Sequence, residues 1–275
     1  MGARLIVTDL DETFLRSNRT FDEALFRQVL SEIDAAGAQF AIATGRHLSN
    51  VEQVFADILK ERGIHIVSNN GAHVQAANGD VLFERSLPVE LLPEIDATFQ
   101  AFSYKPAYGY LLTTTRNAYM PRTLKNIIMR FTPRFRTFFD RSTTFRQISD
   151  VKEPILKVTA AFPKTVQPVF VKFAKERLGD RVHITETGTG AIDIVPAGIN
   201  KAVGVQQLMT YLNIDVADVA AFGDGGNDLE MLGFVGQPYR MPNASQNVAA
   251  HTEFNVAVAD NNHNGVLRTI QEKLL

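Results

Sequence analysis

The sequence predicts an α/β fold, a Rossmann-like parallel sheet core whose chain is interrupted by an inserted α+β domain. Three observations predict it. Short apolar runs alternate with amphipathic helical segments as far as Ser68, and the same alternation returns after residue 190. Between the two, the periodicity is mixed and is broken by Pro88, Pro93, Pro106, Pro121, Pro133, Pro154 and Pro163.

Each element follows from its residues. Arg4 to Thr8 (RLIVT) is an apolar run that ends in acids, as suits a buried parallel strand opening onto a site. Thr20 is the expected cap of a helix with Leu25, Phe26, Val29, Leu30 and Ile33 on one face, stopped by Gly37. Ala38 to Ala43 is a second buried strand, Leu48 to Arg62 a helix, and His65 to Ser68 a third strand. Strands and helices in that alternation imply parallel pairing with right-handed crossovers. Ala72 to Gln75 and Val81 to Glu84 flank Asn78-Gly79, a hairpin signal. Inside the mixed stretch, Ile155 to Phe162 reads as a strand and Pro168 to Leu178 as a helix. After Ala191 to Val195 come a helix (Asn200 to Leu212), a strand (Val219 to Phe222), a short helix (Asn227 to Leu232) and a terminal helix (Gly265 to Leu274). The expected organisation is a core from residues 1–84 and 191–275, with 85–190 inserted.

Composition narrows the function classes. The chain has 275 residues, 45% hydrophobic and 21% charged, the balance of an ordinary globular protein. A net charge of −2 gives no general attraction to nucleic acid or to a membrane surface. Cysteine is absent, which excludes disulfides, thiolate nucleophiles and Cys-based zinc sites and fits a reducing compartment. Asp9 comes too early for a signal peptide, the myristoylation pattern fails after Gly2, and no apolar run is long enough to span a bilayer. The expectation is a cytoplasmic protein, and a monomer, since no extended apolar seam is visible.

Four constellations carry chemistry. Asp9-Leu10-Asp11 places two carboxylates on one side of a strand end. Their repulsion is relieved by a divalent cation with oxygen ligands, which suits Mg²⁺, and a carboxylate so held can attack phosphorus while its neighbour moves a proton. Alone, the pair also fits a solvated strand end or the cap of the next segment. Thr44-Gly45-Arg46 offers a hydroxyl and free amides as a phosphate cradle, or is an ordinary strand-to-helix turn. Lys201 opens a helix, where a cation opposes the dipole unless an anion is near; otherwise it is a solvated surface lysine. Gly223-Asp224-Gly225-Gly226-Asn227-Asp228 follows an apolar strand and can complete a metal shell at the sheet edge where ligands bind, though tight turns share that composition.

In order and placement these four resemble the motifs of the haloacid dehalogenase superfamily: DxD, Thr or Ser, Lys, and an acidic GDxxND-type loop. Ser68-Asn69-Asn70-Gly71-Ala72, Asp193 to Gly198, Met241 to Ala244 and Asn264-Gly265-Val266 extend the resemblance to its Cof-type branch. That branch carries a large (type IIB) α+β cap between the second and third motifs, here residues 85–190. Pro242 stands where the branch often has Gly.

The resemblance implies a phosphatase that uses Mg²⁺. Asp9 is then the nucleophile and a metal ligand, and Asp11 the general acid and base whose main-chain carbonyl ligates the metal. Asp224 completes the ligands, with Asp228 acting directly or through water. The Leu10 amide, Thr44, Gly45, Lys201 and Asn227 hold the phosphoryl group. The implied substrate is a small phosphorylated metabolite such as a sugar phosphate. A phosphomutase, or a non-catalytic sensor of phosphorylated metabolites, is the alternative on the same core.

Two features of the inserted stretch stay open. Arg116, Arg122, Lys125, Arg130, Arg134, Arg136, Arg141 and Arg146 face only one acid, Asp140, and form either a positive lid face or a solvated surface. The interleaved Tyr119, Phe131, Phe135, Phe138, Phe139 and Phe145 read as core rather than as a base-stacking platform, as do Tyr108 and Tyr110. His47, His65, His73, His183, His251 and His263 have no paired ligand spacing and are assigned to no metal.

Overall fold

The computed structural model describes residues 2–106, 108–129, 142–187 and 190–275. The first half of the chain lays down β1 (Leu5–Thr8), β2 (Gln39–Ala43), β3 (His65–Ser68), β4 (His73–Gln75) and β5 (Val81–Glu84). Then come β6 (Tyr110–Thr113), β7 (Ala118–Pro121), β8 (Ser142–Phe145), β9 (Lys157–Ala161), β10 (Val182–Glu186) and β11 (Ala191–Pro196). The chain ends through β12 (Val219–Gly223), β13 (Gln237–Arg240) and β14 (Asn255–Val256).

These strands form two sheets. The first runs β14-β13-β12-β1-β2-β3-β4-β5, parallel from β14 to β3 and antiparallel over the hairpin β4-β5. Alternate residues bury on opposite faces. Ile6, Phe40, Ile42, Ala220 and Phe222 meet Phe14, Phe26 and Phe55, whereas Leu5, Val7, Ala41, Ala43, Val219 and Ala221 meet Val205 and Leu208. A sheet covered on both sides explains why its strands read as unbroken apolar runs.

The second sheet runs β10-β11-β9-β6-β7-β8 and is antiparallel except between β7 and β8. Helices Leu92–Ala101 and Gln167–Leu178 cover one face, where Leu112, Val158, Ala160, Ile192 and Ile194 pack on Ile95, Phe99 and Phe170. The strand period of two turns Leu111, Thr113, Lys157, Thr159, Ala161 and Asp193 to the other face, toward the first sheet's C-terminal edge.

Some sequence expectations are corrected. Ala191–Pro196 pairs with β9 and β10, so it belongs to the second sheet and not to the core as the 191–275 boundary has it. Its apolar alternation is that of a strand with one face on a core, a pattern that a strand of either sheet shows. We propose that the crossing back to the core lies after Pro196. The first helix starts at Glu23, and Asp22 caps it by accepting from the Leu25 amide at 3.1 Å. Thr20 is instead held by Asn18, which accepts from both its amide and its hydroxyl. Leu48 to Arg62 divides at Phe55 into Leu48–Val54 and Ala56–Glu61. Strands β13 and β14 have no counterpart in the sequence reading.

Candidate active site

The site is built where β1, β2 and β12 end. The Asp9 amide donates to the Phe222 carbonyl at 3.0 Å, which carries the carboxylate just past the sheet edge. Lys201 is the first residue of helix Lys201–Leu212, whose cap Asn200 accepts from the Val203 amide. Its Nζ lies 2.6 Å from Asp9 Oδ1 and 2.6 Å from Asp228 Oδ1, and the side chain has no exposed surface. The anions that a lysine at a helix start requires are thus both present. Gly71 lets this helix come close: a Cβ there would fall 2.0 Å from the Asn200 carbonyl oxygen, and its φ is +94°.

Both oxygens of Asp228 accept hydrogen bonds. Its second oxygen accepts the amides of Asp224 and Gly225 at 3.0 and 2.9 Å. Asp224 accepts the Thr13 hydroxyl at 2.7 Å. Carboxylate oxygens of Asp9, Asp224 and Asp228 lie within 4.8 Å of one another. Burial raises Asp9 to about 7, with Asp228 and Asp11 adding to the rise and Lys201 opposing it. Burial likewise raises Asp224 to about 8, helped by Asp228 and Asp9 against Thr13 and Lys201. Burial would depress Lys201, but Asp228 and Asp9 outweigh it and hold the ammonium above the usual lysine range. Three buried acids around one ammonium are short of positive charge, and an all-oxygen donor set fits a hard divalent cation.

Asp11 points elsewhere. Its carboxylate takes a two-pronged contact from Arg46, with Nε at 2.8 Å, while Arg46 Nη1 donates to Asn50 at 2.9 Å. Its carboxylate therefore lies outside the Asp9–Asp224–Asp228 cluster. Thr44 is buried, and its hydroxyl oxygen accepts the Arg46 amide at 3.1 Å. Asn227 donates to Asn70 Oδ1 at 3.1 Å. Asp9, Asp11, Thr44, Gly45, Asp224 and Asn227 line one cleft of ≈ 340 Å³, roofed by the second sheet. Lys201 and Asp228 lie beneath it, and Leu10 is buried in the core.

The haloacid dehalogenase-like hydrolase family matches residues 6–270. The chain belongs to that family. It is 28% identical over 274 residues to an Escherichia coli protein named 5-amino-6-(5-phospho-D-ribitylamino)uracil phosphatase, covering 100% of this chain and 97% of the other. The structure of SMU.1108c from Streptococcus mutans superposes with a TM-score of 0.87 at 27% identity, over 99% of each chain. The subclass IIB sugar phosphatase BT4131 shares the fold, with a TM-score of 0.79 at 17% identity over 98% of each chain. This haloacid dehalogenase-like hydrolase is accordingly an enzyme, and its relatives are named phosphatases.

Several residues in or beside the hydrolase's cleft have no role assigned from the sequence. Arg46 stands beside Gly45, and a cation next to a strand-end turn opposite two acids was a usable signal. Asn70 and Asp193 fall in segments that carry the family resemblance, but neither these nor Thr13 and Lys157 show their partners in sequence, because long-range packing brings them together. Of the basic stretch, Arg116, Arg122, Lys125 and Arg146 are exposed, and none of these four lines the cleft. Arg130, Arg134, Arg136, Arg141, Phe131, Phe135, Phe138 and Phe139 lie outside the described residues. Phe145 is buried in the second core, and Tyr119 packs against that core. Tyr110 stacks on Phe99 with centroids 4.7 Å apart, while Tyr108 is exposed with the Lys125 ammonium 4.2 Å over its ring. No helix among the described residues is long and apolar enough to cross a membrane.

Proposed function

We propose that this hydrolase is a Mg²⁺-dependent phosphomonoesterase that cleaves small phosphorylated metabolites, sugar phosphates foremost, through a phosphoaspartyl intermediate on Asp9. One observation carries the reading: the two acids of Asp9-Leu10-Asp11 have different partners, Asp9 bound to the buried Lys201 and Asp11 to Arg46. A nucleophile and a proton carrier need separate positions, and to carry a proton Asp11 must first leave the two-pronged Arg46 contact, which takes only the ionised carboxylate.

The roles follow. Asp9 attacks phosphorus, forming its O–P bond as the P–O bond to the leaving alcohol breaks, and Asp11 gives the alkoxide a proton. Water then attacks the phosphoaspartate, its proton passes to Asp11, and inorganic phosphate leaves with Asp9 restored. The amides of Leu10 and Gly45, the Thr44 hydroxyl, Lys201 and Asn227 hold the phosphoryl oxygens. Positioning and charge neutralisation are most of what this transfer requires. Asp9, Asp224 and the Asp11 main-chain carbonyl would hold Mg²⁺, with Asp228 directly or through water, and the ion would supply positive charge to offset the carboxylates and the transferring phosphoryl group. The second sheet over the cleft excludes bulk water.

The test is release of inorganic phosphate from sugar phosphates, nucleotides and flavin mononucleotide with Mg²⁺, beside Asp9→Asn. Release that the substitution abolishes supports the reading. An isomerised phosphoester in place of phosphate would assign a mutase, and binding without turnover a sensor.

A further inference from the structure

The second sheet does more than roof the cleft. Lys157 on β9 is 6% exposed, and its Nζ donates to Asp193 Oδ2 at 3.0 Å and to the carbonyl of Gly45 in the first sheet's phosphate-binding turn. The peptide whose oxygen Lys157 holds is the one whose amide, that of Arg46, donates to the Thr44 hydroxyl. Two residues on, His47 Nε2 lies 2.9 Å from the Thr114 carbonyl, again across the sheets. Asp193 closes a second route. It accepts from Thr159 and, at 2.7 Å, from Asn70 Nδ2, and Asn70 Oδ1 in turn accepts from Asn227. The amide of Asn70 is thereby fixed by a donor on one side and an acceptor on the other.

We propose that Lys157 is a positioning residue through which the second sheet, once docked, sets the phosphoryl-binding groups of the first. Its ammonium orients the Gly45–Arg46 peptide directly. Through Asp193 and Asn70 it orients the Asn227 amide. Both routes run between the sheets, so the phosphoryl site is completed only when the second sheet is seated. Lys157 acts on the phosphoryl half of the substrate and not on the leaving group. This rests on the phosphomonoesterase reading, and it predicts an effect shared by all substrates.

The test is Lys157→Met beside the double variant Lys157→Met/Asp193→Asn, which leaves no unpaired buried charge to unfold the protein. Turnover of p-nitrophenyl phosphate and of a panel of sugar phosphates is measured with Mg²⁺, and inorganic phosphate binding by calorimetry. Loss of alignment predicts a fall in kcat/KM of about 10- to 100-fold on every substrate, an unchanged substrate ranking and weaker phosphate binding. Lys157→Arg, which keeps the charge, recovers part of the loss. Values within about twofold of wild type in the folded double variant would overturn the proposal. So would a changed ranking with p-nitrophenyl phosphate turnover intact, which would make Lys157 a leaving-group contact. If the wild type turns over no phosphoester, the hydrolase reading fails on its own. Phosphate binding then decides the positioning role: weaker in the variants supports it, and unchanged or absent in the wild type overturns it.

Discussion

Lys201 and Asp228 meet at 2.6 Å with no exposed surface on either side chain, and the same ammonium holds Asp9. Removing one partner of such a cluster leaves charges buried without compensation. Lys201→Met should therefore cost roughly 3–5 kcal/mol of stability, read from urea unfolding. On the proposed mechanism turnover should also fall by about 10²–10³, because the cation that holds Asp9 and is assigned to the phosphoryl group is lost with it. Unchanged stability would show that the two carboxylates take up protons freely when Lys201 is gone.

The carboxylates Asp9, Asp224 and Asp228 make a cation the natural stabiliser of the folded state. Mg²⁺ at about 100 times its dissociation constant should add roughly 2.7 kcal/mol to the unfolding free energy. In Asp224→Asn the gain should shrink or vanish. A thermal unfolding midpoint that ignores Mg²⁺ in the wild type would argue against a cation in this cluster.

Arg46 grips Asp11 by two nitrogens, which a lysine cannot reproduce. If that grip sets the proton carrier, Arg46→Lys should slow alkyl phosphates by about tenfold or more, since an alkoxide needs a proton to leave. p-Nitrophenyl phosphate, with its stable phenolate, should be slowed much less. Equal losses on both would place Arg46 at the phosphoryl group rather than at Asp11.

The core was legible because its signals are local. Val7 and Ala41 alternate with Ile6 and Phe40 on two buried faces, so β1 and β2 appear as apolar runs, and Asp9, Thr44 and Asp224 follow their strands directly. Lys201 could be read from the conflict between its charge and its place at a helix start. What stayed hidden depends on packing between distant segments. β14 is two exposed residues, Asn255 and Val256, with no apolar pattern to find. Asp193 has its partners 36 and 123 residues away, at Lys157 and Asn70, and nothing near it in sequence announces them. The same blindness put Ala191–Pro196 in the wrong sheet, because a strand's pattern records that one face is buried but not against which neighbour.

His47 gives a pH signature separate from the Asp9–Asp224–Asp228 cluster. The ring is buried, with Nδ1 accepting from the Ser49 amide and Nε2–H donating to the Thr114 carbonyl, the neutral tautomer that this pairing requires. Burial lowers its pKa from 6.5 to about 4, Thr114 opposing and the nearby Lys157 and His73 adding to the fall. The unfolded chain then binds a proton that the folded one refuses. The contribution of His47 to stability is complete above about pH 6.5, declines as the pH falls, and is exhausted below about pH 4. Its full span is on the order of 3 kcal/mol. Other groups titrate over the same range, so the quantity to measure is a difference: urea midpoints near pH 7.5 and about pH 5 for the wild type and for His47→Gln. The wild type should lose more stability than the variant over that interval. Parallel losses would mean that His47 charges as readily in the folded protein as in the unfolded one, and that its contact with Thr114 does not depend on the neutral ring.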